Sequence, residues 1–304
     1  MGWKRIALIA LGVVVLIGGG AYYWLVVESH DAGERHFALD MEEVRRQADA
    51  LPGAKPVEID AEKVAAFSFP KAAVVAGDGW EKVDVPVFSY RVVFPGGASA
   101  IIDTALDDKL GGSNLVSFDK AAYDRMSAAL DKASLIVITH EHMDHIGGLT
   151  EHPDVRRILP STKLTQEQVD HPERSAPAAF PAGTLDGYKP LVYDHYVAIA
   201  PGMVLIKAPG HSPGSQMVYV QKADGTEVLF IGDVAWQFRN IDLVRERPRL
   251  MTQFMLKEDR GEVFAQLREL HRLHAAEPKL SIVPGHDGAT VTALEQAGVL
   301  KTGF

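Results

Sequence analysis

The stretch Thr139-His140-Glu141-His142-Met143-Asp144-His145 decides how this sequence is interpreted. It holds four potential metal ligands within six residues, namely His140, His142, Asp144 and His145. An apolar run at residues 135–138 precedes it and Ile146-Gly147-Gly148 follows it. A buried strand has no packing reason to end in three imidazoles and a carboxylate, because these groups need neutralisation unless a cation lies among them. We therefore predict a metal site at the end of a strand.

Three later segments repeat this form, each with an apolar strand, a tight turn and one ligand. They supply His211 within residues 209–214, Asp233 after residues 230–232, and His286 after residues 283–285. Ligands that glycine turns fix at strand ends form rigid sites. Any of the other seven histidines, taken alone, is better explained as a surface or core residue.

Seven ligands are too many for one tetrahedral zinc ion. Imidazole and carboxylate suit Zn²⁺, and also iron, manganese or cobalt. His140 and His142 are two residues apart and point the same way in an extended loop, so they are predicted to hold one ion with a third histidine. A second ion and a shared ligand account for the rest. The predicted grouping is His140, His142 and His211 for one ion, Asp144, His145 and His286 for the other, and Asp233 between them.

The composition fits a globular protein. The 304 residues are 47% hydrophobic and 23% charged, and the net charge is −9. An acidic chain is not expected to bind nucleic acid. There are no cysteines, which excludes disulfides and thiolate ligands and leaves the redox compartment open.

The N-terminus predicts a membrane segment. Residues 1–5 carry Lys4 and Arg5, and residues 6–27 are an uncharged apolar run. As a helix, this run would span about 33 Å, enough to cross a bilayer core. The charge distribution predicts a cytoplasmic N-terminus and a catalytic part on the extracytoplasmic side, periplasmic in a Gram-negative cell. The alternative is a signal peptide cut near residues 19–21, giving a secreted protein. We favour an anchor, or an uncleaved signal, because the apolar run continues past that site.

The rest of the chain predicts a short polar tether at residues 28–36 and one domain at residues 37–304. Helices are predicted at 41–51, at 119–131 and at 262–274. Their inner faces are assigned to Ala122, Met126, Ala129 and Leu130 in the second and to Val263, Leu267, Leu270 and His274 in the third. Strands are predicted at 83–94, 98–102, 135–139, 189–193, 196–200, 204–207, 217–220, 227–231 and 280–283. Residues 160–188 and 237–260 are predicted to form loops or helical inserts around an active-site mouth. This order suggests two sheets with helices outside.

The motifs, taken in order, closely resemble the metallo-β-lactamase superfamily of dinuclear metallohydrolases. They are residues 140–145, 210–214, 232–233 and 285–286, together with Ile102-Asp103-Thr104. The resemblance implies an α/β fold, an αββα sandwich of two mixed sheets with helices on the outer faces. It implies two Zn²⁺ ions with a bridging hydroxide as nucleophile. Asp144 or Asp233 would relay the proton, and Asp103 would orient a ligand or the metal loop.

Departures from the superfamily pattern reduce the number of candidate reactions. True β-lactamases of this fold usually replace the aspartate found here as Asp233, and flavodiiron oxidoreductases carry an acidic residue at the position of His142. The first difference disfavours antibiotic hydrolysis, and the second favours a hydrolase over oxygen chemistry. We predict a hydrolase that cleaves an ester, lactone or thioester in a small-molecule substrate. Residues 284–287 resemble the N-acyl-homoserine-lactone lactonases, but those enzymes have a tyrosine at the position of Trp236. Trp236 is therefore a hydrogen-bond donor, a pocket wall or a core residue.

Three alternatives remain open at this stage. A glyoxalase-II-like thioesterase would use basic residues to bind an anionic glutathione moiety, and Arg239, Arg245, Arg247 and Arg249 are available unless they form a solvated helix face paired with Glu246. A phosphodiesterase would use the same site. A membrane-tethered binding or sensing protein would hold the metals without turnover. The oligomeric state is not predicted.

Overall fold

The computed structural model describes residues 2–29, 33 and 35–304. Its strands are β1 Glu58–Pro70, β2 Lys82–Val93, β3 Ser99–Ile102, β4 Ser117–Phe118, β5 Leu135–Val137, β6 Thr162–Lys163, β7 Tyr196–Ala200, β8 Met203–Lys207, β9 Gln216–Gln221, β10 Glu227–Phe230, β11 Leu280–Val283 and β12 Lys301–Thr302. Its α-helices are α1 Trp3–Tyr22, α2 Met41–Ala48, α3 Lys71–Val74, α4 Asp108–Gly111, α5 Lys120–Leu130, α6 Met143–Thr150, α7 Val155–Ile158, α8 Gln166–Asp170, α9 Phe238–Leu243, α10 Arg260–Ala276 and α11 Gly288–Gln296.

The strands form two mixed sheets. The first sheet has the order β12-β1-β2-β3-β5-β6, with β4 also paired to β1, and the second has the order β11-β10-β9-β8-β7. In the first sheet, β3 pairs with β5 in parallel while β1 and β2 are antiparallel. In the second, β10 pairs with β11 in parallel and with β9 antiparallel. The predicted pair of mixed sheets with helices outside is confirmed.

Alternation along the strands builds a layered core. In β9, Val218 and Val220 face the first sheet, whereas Met217 and Tyr219 face the helices outside. The same alternation in β3 sends Ile102 inward, to the inter-sheet layer. Successive side chains of a strand point to opposite faces, so each sheet buries both of its faces. The sandwich is therefore covered on its outer sides by helices.

The covering helices bury the predicted faces almost completely. In α5, all four predicted positions are buried, including Met126 and Leu130. In α10, Val263, Leu267 and Leu270 are buried as predicted. The prediction for His274 is wrong, because its side chain is exposed and Leu273 takes the inner position.

The strands differ from the sequence prediction in two longer segments, and the two-residue strands β4, β6 and β12 were not predicted either. The 13-residue β1 was not predicted, since its residues are buried on both faces and show no alternation. The strand predicted at 189–193 is wrong, because only Leu191 forms an isolated bridge, to Thr165. Pro190 precedes it and cannot donate a ladder hydrogen bond.

The N-terminal helix continues beyond α1 as a π-helical turn, Tyr23–Val27. The helix Trp3–Val27 has a mean hydropathy of 2.2 and no buried residue over its most apolar 18 residues, so it is long and apolar enough to cross a membrane. A signal sequence would pass the same test. Part of the predicted tether, at residues 30–32 and 34, lies outside the described residues.

Candidate metal centre

The seven predicted ligands lie at one edge of the sandwich, each just after a strand. His140 follows β5, His211 lies between β8 and β9, Asp233 follows β10 and His286 follows β11. The remaining ligands begin α6, whose N-cap is His142, so that Asp144 and His145 lie in its first turn. The first sheet thus contributes four of these side chains and the second sheet three.

The structure brings the seven side chains together in two groups. One atom each of His140, His142, His211 and Asp233 lies within 4.8 Å of the others, and the same holds for the second group. The second group is Asp144, His145 and His286. This is the division that the sequence predicts, with Asp233 counted here in the first group.

The carboxylate of Asp233 lies between the two groups. Its Oδ2 is 3.3 Å from Nε2 of His211 and 3.8 Å from Nε2 of His140. Its Oδ1 is 3.3 Å from Nε2 of His145 and 3.2 Å from Nε2 of His286. His286 is also 3.3 Å from Oδ2, so this imidazole faces both oxygens. A carboxylate in such a position can share its oxygens between two cations.

Three histidines are held through Nδ1, which leaves Nε2 directed into the site. The Nδ1 of His211 lies 2.6 Å from Glu258, that of His145 lies 2.8 Å from Asp103, and that of His286 lies 2.8 Å from the carbonyl of Pro86. A partner on one ring nitrogen fixes the tautomer and aims the other nitrogen at a metal.

Asp103 also organises the loop that carries the motif. Its Oδ1 accepts a hydrogen bond from the backbone N–H of Thr139 at 2.6 Å, and its Oδ2 accepts one from the Thr139 hydroxyl at 2.7 Å. Asp103 has a φ of 58°, a left-handed conformation that costs about 1–3 kcal/mol in a non-glycine residue. These contacts are those expected of a residue that orients the metal loop.

Unpaired polar atoms test whether a cation fits this site. Within the described part of the chain, Nε2 of His140, Nε2 of His145 and Oδ1 of Asp233 are buried and make no hydrogen bond. Buried polar atoms are rarely left without a partner. Because these atoms face one another at the centre of the cluster, the donor set fits divalent metal ions.

Burial and neighbouring charges tune the ligands. Burial, followed by the nearby His145, holds the pKa of His140 well below its ordinary value. Burial likewise lowers the pKa of His142, so both rings are neutral and able to bind a metal near neutral pH. Burial alone would raise the pKa of Asp233, but the adjacent His286 and other imidazoles lower it well below its ordinary value.

Glu258 and Arg247 belong to the site although the sequence did not point to them as such. Arg247 is fully buried and its Nε donates to Glu258 at 2.9 Å. Its Nη2 donates to the backbone carbonyl of Asp233 at 2.9 Å. Burial would raise the pKa of Glu258, but Arg247 and His211 lower it. Neither residue follows a strand. The sequence offered Arg247 only as one of four arginines, and Glu258 did not stand out among the many charged residues of 245–260.

The arginine run after Asp233 has neither of the predicted roles. Arg239 pairs with Asp78, Arg245 donates to the carbonyl of Ala76, and Arg249 pairs with Glu28. The solvated helix face is wrong, since Arg247 is buried and Glu246 pairs with Arg260. Among the described residues, none of the four arginines lines the cavity at the cluster, so their use for an anionic substrate moiety has no structural support.

Glu141 fixes the motif to the loop of His211. It points away from the two flanking histidines, and its carboxylate accepts hydrogen bonds from the Ser212 hydroxyl at 2.8 Å and from the Gly214 backbone at 3.1 Å. The β5 loop and the β8–β9 loop are therefore connected independently of any metal.

Trp236 combines two of the roles that the sequence left open. Its indole N–H donates to Oδ2 of Asp233 at 2.6 Å. Its ring lies 5.7 Å from that of Phe69, and the guanidinium of Arg247 lies 5.2 Å from its centre. The residue thus positions Asp233 while forming part of the cavity wall.

The cluster lies at the floor of a cavity of about 670 Å³. Its walls are largely apolar, with Phe67, Phe69, Val85, Met143, Trp236, Met251, Met255 and Leu256. Arg174, Glu173 and Lys257 add charge. Residues 173–176 and 251–257 belong to the two segments that were predicted to surround an active-site mouth.

A sequence profile described as the metallo-beta-lactamase superfamily matches residues 83–286. This chain belongs to the metallo-beta-lactamase superfamily. The match includes every predicted ligand, and the two-sheet sandwich is the fold that this membership implies.

Solved structures share this superfamily fold. A quorum-quenching N-acyl homoserine lactone hydrolase is 16% identical, with a TM-score of 0.62 over 80% of this chain and 97% of its own. A probable metal-dependent hydrolase from Staphylococcus aureus is 12% identical, with a TM-score of 0.60 over 78% of this chain and 91% of its own. AidC, a dizinc quorum-quenching lactonase, is 13% identical, with a TM-score of 0.51 over 80% of this chain and 92% of its own. In the comparison with curated proteins, no sequence matches.

Proposed function

We propose that this superfamily member is a hydrolase that uses two divalent ions, of the zinc type, to cleave an ester, lactone or thioester. One observation carries the proposal. Buried ligand atoms without hydrogen-bond partners among the described residues, on His140, His145 and Asp233, face one another next to an open cavity. Asp233 lines this cavity together with His142, Asp144 and His286. The names of similar structures, which include lactone hydrolases, agree with this reaction class.

Each of the seven side chains has a role in the proposal. His140, His142 and His211 would hold one ion, Asp144, His145 and His286 would hold the other, and Asp233, which lies between the two groups, would be available to both. When bound, the ions would supply an activated water as nucleophile and a Lewis acid for the carbonyl oxygen of the substrate. The protein orients three of these imidazoles through partners on Nδ1, namely Glu258, Asp103 and the carbonyl of Pro86.

Asp144 is the better candidate to carry the proton of the nucleophile to the leaving group. Its side chain is 17% exposed, against 3% for Asp233, and it lines the cavity. Oδ2 of Asp233 already accepts the hydrogen bond of Trp236. A proton carrier must come within hydrogen-bond reach of the substrate, and the more exposed Asp144 has the greater access to the cavity.

The cavity wall favours an acyl substrate with an apolar portion. Phe67, Phe69 and Trp236 offer an aromatic surface next to the ligands. An apolar wall gains binding energy from an alkyl or aryl group and gains none from the charged oxygens of a phosphodiester. We therefore place carboxylic esters, lactones and thioesters before phosphodiesters.

A substrate panel tests this proposal. The full-length chain, purified in detergent and loaded with zinc, is assayed against p-nitrophenyl esters, lactones, thioesters and bis-p-nitrophenyl phosphate, with bound metal measured in parallel. We expect about two ions per chain and turnover of at least one acyl substrate. Turnover of the phosphodiester alone would contradict the proposed acyl substrates and identify a phosphodiesterase. Two bound ions with no turnover of any compound would contradict the hydrolase proposal and favour a binding or sensing protein.

We also propose that the helix Trp3–Val27 remains attached as a single-pass anchor with the hydrolase on the extracytoplasmic side. The apolar helix supports this, because it continues past a cut near residues 19–21 and ends only at Val27. Mass spectrometry of the N-terminus and carbonate extraction of membranes test it. A mature chain that begins at about residue 22 would identify a signal peptide.

A further inference from the structure

One segment touches both the N-terminal helix and the cavity. We call residues 249–257 the cavity lip. On one side of the lip, Met251, Met255 and Leu256 line the cavity above the ligand cluster. On the other side, Arg249 contacts the end of the N-terminal helix. The lip, which contains the helical segment Leu250–Met255, thus lies between the cavity and the helix.

Several contacts fix the lip to the helix end. The guanidinium of Arg249 pairs with Glu28 and lies 4.6 Å from the ring centre of Trp24. It also donates to the carbonyl of Trp24 at 3.3 Å. A second link joins the backbone N–H of Gly77 to the carbonyl of Val26 at 2.9 Å. The lip is therefore held at the level of the last turn of the apolar helix.

The same face of the molecule exposes large apolar side chains. Phe254 is 61% exposed, Met255 60% and Leu250 47%. Trp80 is 61% exposed, and its indole N–H donates to the hydroxyl of Tyr22 at 3.3 Å. Tyrosine and tryptophan at the end of a membrane helix lie at the level of the lipid headgroups. Residues fixed beside them lie at the same depth.

We infer that the cavity lip rests on the bilayer that holds the N-terminal helix, and that the cavity takes an amphiphilic acyl substrate directly from this bilayer. The inference rests on the proposed function and on the proposed anchor. Phe254, Met255 and Leu250 insert into the headgroup region, where their burial is favourable. The acyl chain of the substrate passes Met251 and reaches the aromatic wall while its ester, lactone or thioester reaches the ligands.

The absence of cysteine from the sequence allows a direct test of contact. Phe254→Cys and the control Val57→Cys are labelled with a nitrobenzoxadiazole maleimide in the full-length chain. Val57 is 50% exposed and immediately precedes β1, about 30 Å along this strand from Phe67 at the cavity. The labelled chains are reconstituted in vesicles of phosphatidylcholine and phosphatidylglycerol, with or without spin-labelled lipid as quencher.

We expect lipid to quench the label at position 254 and to shift its emission to the blue, and to leave the label at 57 unchanged. Equal quenching at both positions, or none at 254, would overturn the contact. This measurement does not depend on hydrolysis, so its result is separate from that of the proposed function.

The substrate part is tested with a water-soluble and a bilayer-soluble ester. Phe254→Asp, which lies outside the cavity lining, is compared with Val57→Asp in the same vesicles. We expect Phe254→Asp to lower hydrolysis of p-nitrophenyl dodecanoate by about tenfold and to leave p-nitrophenyl acetate unchanged. Equal rates on dodecanoate for both variants would overturn delivery from the bilayer. Cleavage of neither ester by the unaltered chain, with the label at 254 quenched, would overturn delivery of an acyl ester from the bilayer and leave the bilayer contact standing.

Discussion

Glu258 and His211 form a buried pair at the metal centre, with 2.6 Å between Oε1 and Nδ1. The same carboxylate oxygen accepts a hydrogen bond from Arg247. Arg247 in turn donates to the backbone of Asp233. A ligand histidine, a carboxylate, an arginine and the backbone of the shared aspartate are thus joined in one buried chain, which fixes the direction of the His211 ring.

Glu258→Gln removes the charge of this pair and keeps its size. The metal affinity should fall by about 10–100-fold, because loss of an outer partner leaves the ring less basic and less well oriented. Competition with a chromogenic chelator measures the affinity. Glu81→Gln is the control, since Glu81 is exposed and pairs only with Lys71 among its described ion-pair partners. Equal affinities for the two variants would contradict the role of Glu258.

His142→Ala removes a predicted ligand whose ring faces Nε2 of His211 at 2.9 Å. We expect metal content to fall toward one ion per chain and turnover to fall by more than about 100-fold. Elemental analysis and the ester assay measure these quantities. His195→Ala, at an exposed histidine before β7, should change neither. Full activity in His142→Ala would refute the site.

Gly285→Ala should damage the site through Asp233. A Cβ atom at this position would lie 2.1 Å from Oδ1 of Asp233, so the carboxylate would have to move. We expect lower metal occupancy and a loss of about 1–3 kcal/mol in the free energy of unfolding, the usual cost of overpacking. At Gly288, in the next helix, the nearest atom to an added Cβ is 3.4 Å away. Gly288→Ala should therefore keep its metal, and metal loss in both variants would point to a general effect of the loop.

Trp236→Phe tests the hydrogen bond to Asp233 while keeping an aromatic wall. A hydrogen bond to a charged group contributes about 1.5–3 kcal/mol, so kcat/KM should fall at least about tenfold if that bond holds the carboxylate in position. The zinc-loaded chain and a soluble ester give the measurement. Trp80→Phe, at an exposed indole that is neither a predicted ligand nor part of the cavity wall, should behave as the unaltered chain. An unchanged kcat/KM in Trp236→Phe would show that the indole N–H does not contribute to catalysis and that the ring serves only as part of the cavity wall.

The lowered pKa of Glu227 predicts that the free energy of unfolding depends on pH. Burial would raise its pKa, but the hydrogen bonds from Arg45, at 2.7 and 2.9 Å, and from Tyr219 lower it below its ordinary value. A carboxyl whose pKa is lowered by folding stabilises the protein above its unfolded pKa of about 4.3, and this contribution is lost as the pH falls toward the lower folded value. Urea unfolding between pH 3 and 7 should therefore be less pH-dependent in Glu227→Gln. Parallel curves for the two proteins would rule out this linkage.

The candidate ligand positions could be predicted because each of these residues lies directly after an apolar strand or in the turn that follows it. His140, Asp233 and His286 each follow an apolar strand, and parallel pairing of β3 with β5 and of β10 with β11 brings the ends of these strands to one edge. Strand ends and turn residues are visible in the sequence. The assignment of each residue to an ion stays a prediction.

Other features depend on contacts between distant segments and left no local signal. Glu258 and Arg247 lie in a segment without regular strands, and their partner His211 is 47 residues from Glu258. The strand β1 is buried on both faces and lacks the alternation by which half-buried strands are recognised. His274 fits the helical period of α10, but this helix turns its last residues to solvent.

The division of the ligands between the two sheets has a further consequence for durability. Bound ions would link the two sheets, because His140 and His145 come from one sheet and His211 and His286 from the other. At a free ion concentration about 100 times Kd, binding would add about 2.7 kcal/mol to the free energy of unfolding. A chain without cysteine has no disulfide for this purpose. Outside the cytoplasm, its lifetime would then follow the local supply of metal rather than the local redox state.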